Sequence, residues 1–99
     1  MNLVTDEIKV LKALAHPVRL DILRRLAAEP DICACDFTDY FAVSQPTVSA
    51  HLRTLREAGL VSSRRDGNTI CYSLVPGAVR RLADTLVDLA EPAPRPARL

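Results

Sequence analysis

The feature that most constrains the fold is a run of residues that starts at Ser44 and Gln45 and stops at a glycine. Apolar residues recur in this run at spacings of four and three positions, which is the pattern of a helix with one buried face. These residues are Val48, Leu52 and Leu55. Pro46 suits the first turn of such a helix, and Gly59 suits its C-terminal end. We therefore expect a helix that starts at Ser44 or Gln45 and ends at Gly59.

A shorter helix is expected just before this run. Asp36 can cap its N-terminus, and Phe37, Tyr40 and Phe41 supply its apolar face. Residues 42–44 then form the turn. Two helices joined by so short a turn constitute a helix-turn-helix, in which the second helix enters the major groove of DNA.

A β-hairpin is expected after the helix-turn-helix. Residues 60–65 and 69–75 are extended in composition, and they flank Asp66-Gly67-Asn68, which is a strong signal for a tight turn. Next to a helix-turn-helix, a hairpin at this position is a wing.

Three more helices complete the prediction. Residues 5–15 form an amphipathic helix, a second helix runs from Pro17 to near Pro30, and a last one begins at Pro76. The last helix has an apolar stripe whose spacing suits either a partner helix in a dimer or packing on its own domain. The stripe consists of Val79, Leu82, Leu86 and Leu89.

The fold class is thus mostly α with a small β wing. We predict a winged helix-turn-helix of about five helices plus a β-hairpin, and the apolar stripe of the last helix allows a dimer. Residues 1–90 form the DNA-binding domain, and residues 91–99 form a flexible, proline-rich tail.

Composition narrows the range of functions. The chain has 99 residues and a net charge of +1, yet four arginines and one glutamate fall between Ser44 and Arg65. No apolar run is long enough to span a membrane, and the first ten residues contain acids where a signal peptide needs bases, so we expect a cytoplasmic protein with no membrane contact. Neither a glycine-rich phosphate loop nor a histidine-carboxylate set is present, which argues against an enzyme.

Three cysteines in a reducing compartment favour metal binding or redox chemistry over a disulfide framework. If DICACD is extended, Cys33 and Cys35 point to the same face, and we expect both to be thiolate ligands of a soft ion rather than core residues. DICACD can also add to the wing as a third strand beside TICYSL, which would bring Cys71 close. Cys71 alternates with Ile70 and Tyr72, two predicted core residues, and its role as third ligand or as filler stays open.

The DNA-facing residues follow from the helical wheel and the hairpin. With the apolar stripe buried, the recognition helix turns five residues towards its flanks or outer face: Gln45, Thr47, Ser49, Ala50 and Arg53. The wing would place three residues along the DNA backbone or the minor groove: Arg64, Arg65 and Asn68. Ser44 suits helix capping as well as DNA contact. His51 lies beside the buried stripe, so we expect it to pack or to orient the helix rather than to bind metal.

Four segments resemble the ArsR/SmtB family of metal-responsive winged-helix repressors: ALAHPVRLDIL, DICACDF, SQPTVSAHLRTLREAGLV and RRDGNTICYSL. The resemblance covers roughly residues 8–89. It implies a homodimer in which the first and last helices pair and the two recognition helices occupy successive major grooves. It also implies that a Cys-x-Cys at this position senses As(III) or Sb(III), although some members carry a further cysteine where this chain has Thr38.

We therefore predict a repressor that binds double-stranded operator DNA as a homodimer. It is released when Cys33, Cys35 and Cys71 bind As(III) or Sb(III) as inducer, and it needs no organic cofactor. Two alternatives within the same fold stay open, namely sensing of Cd or Pb and sensing of thiol oxidation. A ligand-blind DNA-binding module is a third alternative.

Overall fold

The computed structural model describes residues 3–37 and 43–94, with side chains from Asp6 onwards in the first range. Its elements, in chain order, are α1 (Leu3–Leu14), α2 (Pro17–Ala28), β1 (Ile32–Cys33), α3 (Ala34–Phe37), α4 (Gln45–Glu57), β2 (Val61–Asp66), β3 (Thr69–Leu74) and α5 (Pro76–Ala90). The described ranges thus contain five helices and three strands. The predicted winged helix-turn-helix is confirmed.

The recognition helix α4 begins and ends where its residues predict. Ser44 caps the helix by accepting a hydrogen bond from the backbone N–H of Thr47 at 3.4 Å, and Pro46 lies in the first turn. Gly59 follows the helix with a φ of +80°. This left-handed conformation suits glycine and ends the helix.

The helices α1 and α2 meet at His16 and Pro17, as predicted. Nδ1 of His16 accepts a hydrogen bond from the backbone N–H of Val18 at 3.1 Å and so caps α2. Pro17 lies in the first turn of α2, where its missing N–H is not needed.

The three strands form one antiparallel sheet in the order β1, β3, β2. Strands β2 and β3 are the predicted hairpin, and Gly67 in their turn has a φ of +63°. Strand β1 pairs with the other edge of β3, so that Ile32 lies opposite Tyr72 and Cys33 lies opposite Cys71. The prediction that DICACD adds a third strand to the wing is confirmed for its first residues.

The core is formed by the helices and one face of the sheet. The recognition helix contributes its whole predicted stripe, and α2, α3 and the sheet supply most of the remainder. The fully buried apolar side chains are Ile22, Leu26, Phe37, Val48, Leu52, Leu55, Leu60 and Cys71. Tyr72 is buried as predicted, but Ile70 is 36% exposed because it lies near the turn end of the hairpin. The prediction that Ile70 is a core residue is wrong.

The segment after β1 departs from the prediction. Strand β1 contains only two residues, and α3 begins at once with Ala34. Asp36 therefore lies inside α3, and the prediction that it caps the N-terminus of this helix is wrong.

The burial of Phe37 explains this early helix. Its side chain is completely buried and forms an edge-on contact with Tyr72, with ring centroids 6.4 Å apart. The helical turn of α3 carries Phe37 from the sheet edge into the core. Tyr40 and Phe41, which were expected on the same helix, lie outside the described residues.

The last helix, α5, buries only part of its predicted stripe. Leu82 is buried, whereas Val79 and Leu86 are exposed and Leu89 is 73% exposed. Residues 91–94 follow α5 without helix or strand, and residues 95–99 of the predicted tail lie outside the described residues. None of the described helices has the length and apolar character that a membrane crossing requires.

Candidate nucleic-acid interface and thiol site

The polar face of α4 is open to solvent. All five residues predicted to face DNA from this helix are exposed: Gln45, Thr47, Ser49, Ala50 and Arg53. The opposite face of α4 is held in the core by its apolar stripe. Burial of that stripe therefore determines which side of the helix is presented to a partner.

Ser44 acts as the helix cap in this structure. Besides accepting from the backbone of Thr47, its Oγ lies 2.9 Å from Oγ1 of Thr47. Both side chains are exposed at the N-terminal end of α4, where the first backbone N–H groups of a helix attract anions. This end of the helix therefore combines hydroxyl donors with a favourable electrostatic environment for phosphate.

Arg19, which no pattern in the sequence singles out, connects α4 to two other helices. Its Nε donates to the carbonyl oxygen of Ala13 at 2.6 Å, and a terminal nitrogen donates to the carbonyl oxygen of Lys12 at 3.2 Å. The other terminal nitrogen lies 3.4 Å from Nδ1 of His51. Because Arg19 belongs to α2, one guanidinium joins the end of α1, the start of α2 and the middle of α4.

His51 completes this contact between helices. Its ring lies beside the ring of His16, with centroids 4.4 Å apart. Burial, followed by the positive charge of His16 and Arg19, lowers the pKa of His51 below its ordinary value of 6.5. A neutral imidazole can accept the hydrogen bond from Arg19, and the contacts fit the expected packing and orienting role.

The wing presents its three predicted residues in two ways. Arg65 and Asn68 are exposed, and the structure gives Arg65 no ion pair with another described residue. Arg64 is also exposed, but one of its terminal nitrogens donates to the carboxylate of Asp31 and the other lies 3.6 Å from the carboxylate of Asp66. The hydrogen bond to Asp31 raises the pKa of Arg64 further. This arginine is thus a full cation engaged by two acids.

A disulfide joins Cys33 and Cys71 across the pairing of β1 with β3. The two residues are directly opposite each other, and their Cα atoms are 3.8 Å apart. Directly opposite residues in an antiparallel pair project to the same face. The structure therefore answers the open question of whether Cys71 shares a face with Cys33, and it holds the pair oxidised where reduced thiols were expected.

Cys35 does not share that face in the way the sequence predicts. It lies in α3, it is exposed, and its Sγ lies 3.9 Å from Oδ1 of Asp36. The prediction that an extended strand aligns Cys33 with Cys35 is wrong because the strand ends at Cys33. The role of Cys35 as a ligand stays a prediction.

The thiol pair and a wing arginine form one row across the sheet. Arg64 lies opposite Cys71, and Cys71 lies opposite Cys33. All three project from the face that is turned away from the core residues Ile32 and Tyr72. The Cys33–Cys71 pair therefore lies on the same side of the sheet as the side chain of Arg64, and Cys71 itself is buried.

The redox state of the pair decides what this surface can bind. Two adjacent thiolates suit a soft ion, whereas a disulfide offers no thiolate. Within residues 3–37 and 43–94, no three His, Cys, Asp or Glu side chains are grouped as ligands for a metal ion. Reduction of the pair is thus a precondition for any thiolate site here.

Known proteins are similar to this chain over the same elements. Residues 16–63 match the family model described as "Bacterial regulatory protein, arsR family". The chain is 43% identical to the arsenical resistance operon repressor of Staphylococcus xylosus over 65 residues. This matched region makes up 66% of this chain and 62% of that protein. It is 35% identical over 79 residues to a cadmium resistance transcriptional regulatory protein CadC homolog of Staphylococcus aureus, covering 80% of this chain and 65% of that protein.

A solved structure extends the similarity to nearly the whole chain. HlyU from Vibrio cholerae superposes with a TM-score of 0.71 at 30% identity, covering 90% of this chain and 97% of HlyU. The chain belongs to the arsR family of bacterial regulatory proteins, which are DNA-binding transcriptional regulators and not enzymes.

Proposed function

We propose that this protein is a repressor that binds operator DNA as a homodimer and releases it when its thiolates bind As(III) or Sb(III). The observation that carries the proposal is the position of Cys33 opposite Cys71 on adjacent strands of the sheet that forms the wing. Bridging these two sulfurs would act directly on the DNA-binding end of the domain. The cytoplasm, where operator DNA is found, would be the site of action.

Binding of double-stranded DNA is supported by the exposed polar face of α4. Gln45 can form two hydrogen bonds to adenine, and Arg53 can bind guanine or phosphate. Arg65 and Asn68 on the wing would add contacts to the DNA backbone, which give affinity without reading sequence. In a dimer, two copies of α4 would read half-sites about 34 Å apart, one turn of DNA.

The homodimer is supported by apolar surface on two neighbouring helices. Oγ1 of Thr85 on α5 donates to the carboxylate of Glu7 on α1 at 2.9 Å, so the helices lie side by side. Apolar side chains remain exposed on both: Ile8, Leu11, Val79, Leu86 and Leu89. Exposed apolar surface of this kind marks a binding interface, which favours the dimer over packing of the stripe within one chain.

The inducer is inferred from the ligand set. Cys33 and Cys71 would supply two sulfurs when reduced, and Cys35 would supply a third from the start of α3. Three thiolates satisfy As(III) or Sb(III), and the similarity to an arsenical resistance operon repressor supports that choice. Cadmium and lead are the alternative, because Asp36 beside Cys35 offers an additional oxygen ligand and a cadmium resistance regulator is also similar.

A second candidate function is repression controlled by thiol oxidation, and the Cys33–Cys71 disulfide favours it. In this reaction the two thiols lose two electrons and two protons, and one S–S bond forms. A small disulfide acting as oxidant takes up both and becomes two thiols. No metalloid is needed for the change in state.

One titration distinguishes these functions. A fluorescent fragment of the protein's own promoter is saturated with reduced protein, and As(III), Sb(III), Cd(II) or oxidised glutathione is added while anisotropy is followed. Release by As(III) or Sb(III) in the wild type, and its loss in Cys33→Ser and Cys71→Ser, is expected. Calorimetric titration of the same variants with As(III) measures binding without DNA. Release by oxidised glutathione and by none of the ions would favour the oxidation sensor, and indifference to every addition would leave only the DNA-binding module.

The dimer is tested separately by sedimentation. Leu86→Glu places a charge in the exposed apolar stripe of α5 and is expected to shift the protein towards monomer. Arg24→Glu, at an exposed position of α2, is the matched control and should leave the oligomeric state unchanged. A wild type that sediments as a monomer at all concentrations would contradict the proposed dimer.

A further inference from the structure

Arg64 is held by acids that come from two parts of the chain. Asp66 is its neighbour on the same strand, but Asp31 precedes β1 and is 33 residues away in the sequence. The guanidinium of Arg64 thus joins β2 to the segment that leads into the thiol site. Guanidinium binds carboxylate and phosphate through the same pairs of N–H groups, so a carboxylate in place competes with DNA.

Asp31 is itself fixed in place. Its second carboxylate oxygen accepts a hydrogen bond from Oγ of Ser73 at 3.3 Å. Ser73 is two residues from Cys71 and projects to the same face of β3, just as Asp31 is two residues from Cys33. The acid is therefore held between β3 and Arg64, on the surface that carries the disulfide.

We propose that Asp31 is a positioning residue that withdraws Arg64 from DNA phosphate, and that a bridge between Cys33 and Cys71 keeps it there. The inference rests on the proposed function, because it needs the wing to contact DNA. It adds a route by which the state of the thiols reaches the DNA-binding surface.

The geometry supports this route for a physical reason. Strand β1 is only two residues long, so the covalent link between Cys33 and Cys71 adds to the backbone pairing and to the burial of Ile32 in restraining the segment before it. With the link in place, Asp31 stays beside Arg64. With both thiols reduced, the segment gains freedom, and the guanidinium can exchange carboxylate for phosphate. Because a dimer has two wings, the effect on operator affinity counts twice.

The first test uses oxidised protein, in which the disulfide keeps Asp31 beside Arg64, and no inducer, so that it is independent of metalloid sensing. Asp31→Asn keeps the size of the side chain and removes its charge. We expect it to tighten DNA binding by about two- to fivefold, the range that an exposed ion pair supports, and to steepen the dependence on salt by about one phosphate contact. In the Arg64→Gln background the same substitution should have no effect.

The control variants show whether Asp31 acts by holding Arg64 or only through its negative charge. Asp66→Asn removes the other acid, which lies farther from Arg64, and should have a smaller effect. Equal tightening by Asp31→Asn with and without Arg64 would show that only net charge matters and would overturn the inference. Arg65→Gln, one position along the strand, provides a matched arginine whose removal should weaken DNA binding regardless of Asp31.

The second test changes the thiols. Oxidised glutathione converts Cys33 and Cys71 to the disulfide and is itself reduced to two glutathione thiols. Oxidised wild-type protein should bind DNA more weakly than reduced protein, and Asp31→Asn should remove most of that difference, with Cys33→Ser as the unresponsive control. An undiminished difference in Asp31→Asn would overturn the route through Asp31. A reduced Arg64→Gln variant that binds DNA as tightly as reduced wild type would overturn this inference. Unchanged binding in Arg65→Gln would instead count against the wing contact of the proposed function, which failure of the Asp31 arms alone leaves intact.

Discussion

The recognition helix and the thiol-bearing edge of the wing are positioned by different forces. Three side chains of α4 are buried almost completely in the core, so the helix presents one fixed face. The edge formed by β1 and Arg64 is held by a two-residue strand, a disulfide and exposed ion pairs. The former is stabilised by burial of apolar surface, whereas the ion pairs of the latter are exposed to solvent and ions. We therefore expect the exposed face of α4 to be rigid and the neighbouring edge formed by β1 and Arg64 to be adjustable.

The strongest test of this contrast removes a core contact of α4. Leu52→Ala should lower the free energy of unfolding by about 2–5 kcal/mol, because it deletes a fully buried side chain and leaves a cavity. Urea denaturation measures the change. Leu20→Ala on α2, where the side chain is partly exposed, is the control and should cost less than half as much. Equal losses in the two variants would mean that α4 is not specially fixed by the core.

A change on the presented face should affect DNA binding and leave stability alone. Gln45→Ala should weaken binding to the operator by about 1–3 kcal/mol, the contribution of a bidentate contact to a base edge. Anisotropy with promoter variants should show relaxed preference at one base pair in each half-site. If binding weakens equally for every sequence, Gln45 contacts the backbone instead.

Removal of the N-terminal cap of α4 should change stability less than removal of a core side chain and more than a substitution on the exposed face. Ser44→Ala removes the acceptor for the backbone N–H of Thr47 and should cost about 0.5–1 kcal/mol of stability. Ser49→Ala, the same change at an exposed position inside the helix, should leave stability unchanged or raise it slightly, because alanine has the higher helix propensity. Thermal unfolding followed by circular dichroism compares the pair, and equal melting temperatures would show that the cap contributes little.

The smallest expected effect is a pH dependence at the contact between α2 and α4. Burial, then His16 and Arg19, lower the pKa of His51, so in the range below 6.5 the unfolded chain binds more protons there than the folded one. Stability should therefore rise with pH through that range and fall on acidification. Urea midpoints measured between about pH 5 and about pH 7.5 should depend on pH more weakly in His51→Gln. An unchanged slope in that variant would remove His51 as the cause.

The elements that could be predicted from the sequence are those with local signals. Pro46, the apolar stripe and Gly59 define α4 within one segment, and the Asp-Gly-Asn turn defines the hairpin. The pairing of DICACD with TICYSL was also predictable, because both segments are apolar and short enough to be strands. These patterns depend on backbone geometry and burial, which neighbouring residues largely determine.

The sequence predictions failed where the local structure depends on contacts with residues far away in the chain. Cys35 was expected on the same strand face as Cys33, but a helix begins after two strand residues and buries Phe37 in the core. The contacts of Asp31 with Arg64 and of Arg19 with His51 join exposed or half-buried side chains more than thirty positions apart. Such contacts have no periodicity, and the charges involved are equally compatible with a solvated surface.

The short strand β1 has a consequence for how such a regulator can change over evolutionary time. It is joined to β3 by backbone pairing, which any non-proline residue at the two facing positions can maintain. The pair of side chains at positions 33 and 71 can therefore be exchanged for other chemistry without redesign of the surrounding fold. If these two positions carry the proposed trigger, a lineage could acquire, lose or replace it by two substitutions, while α4 and the DNA sequence that it binds remain matched to each other.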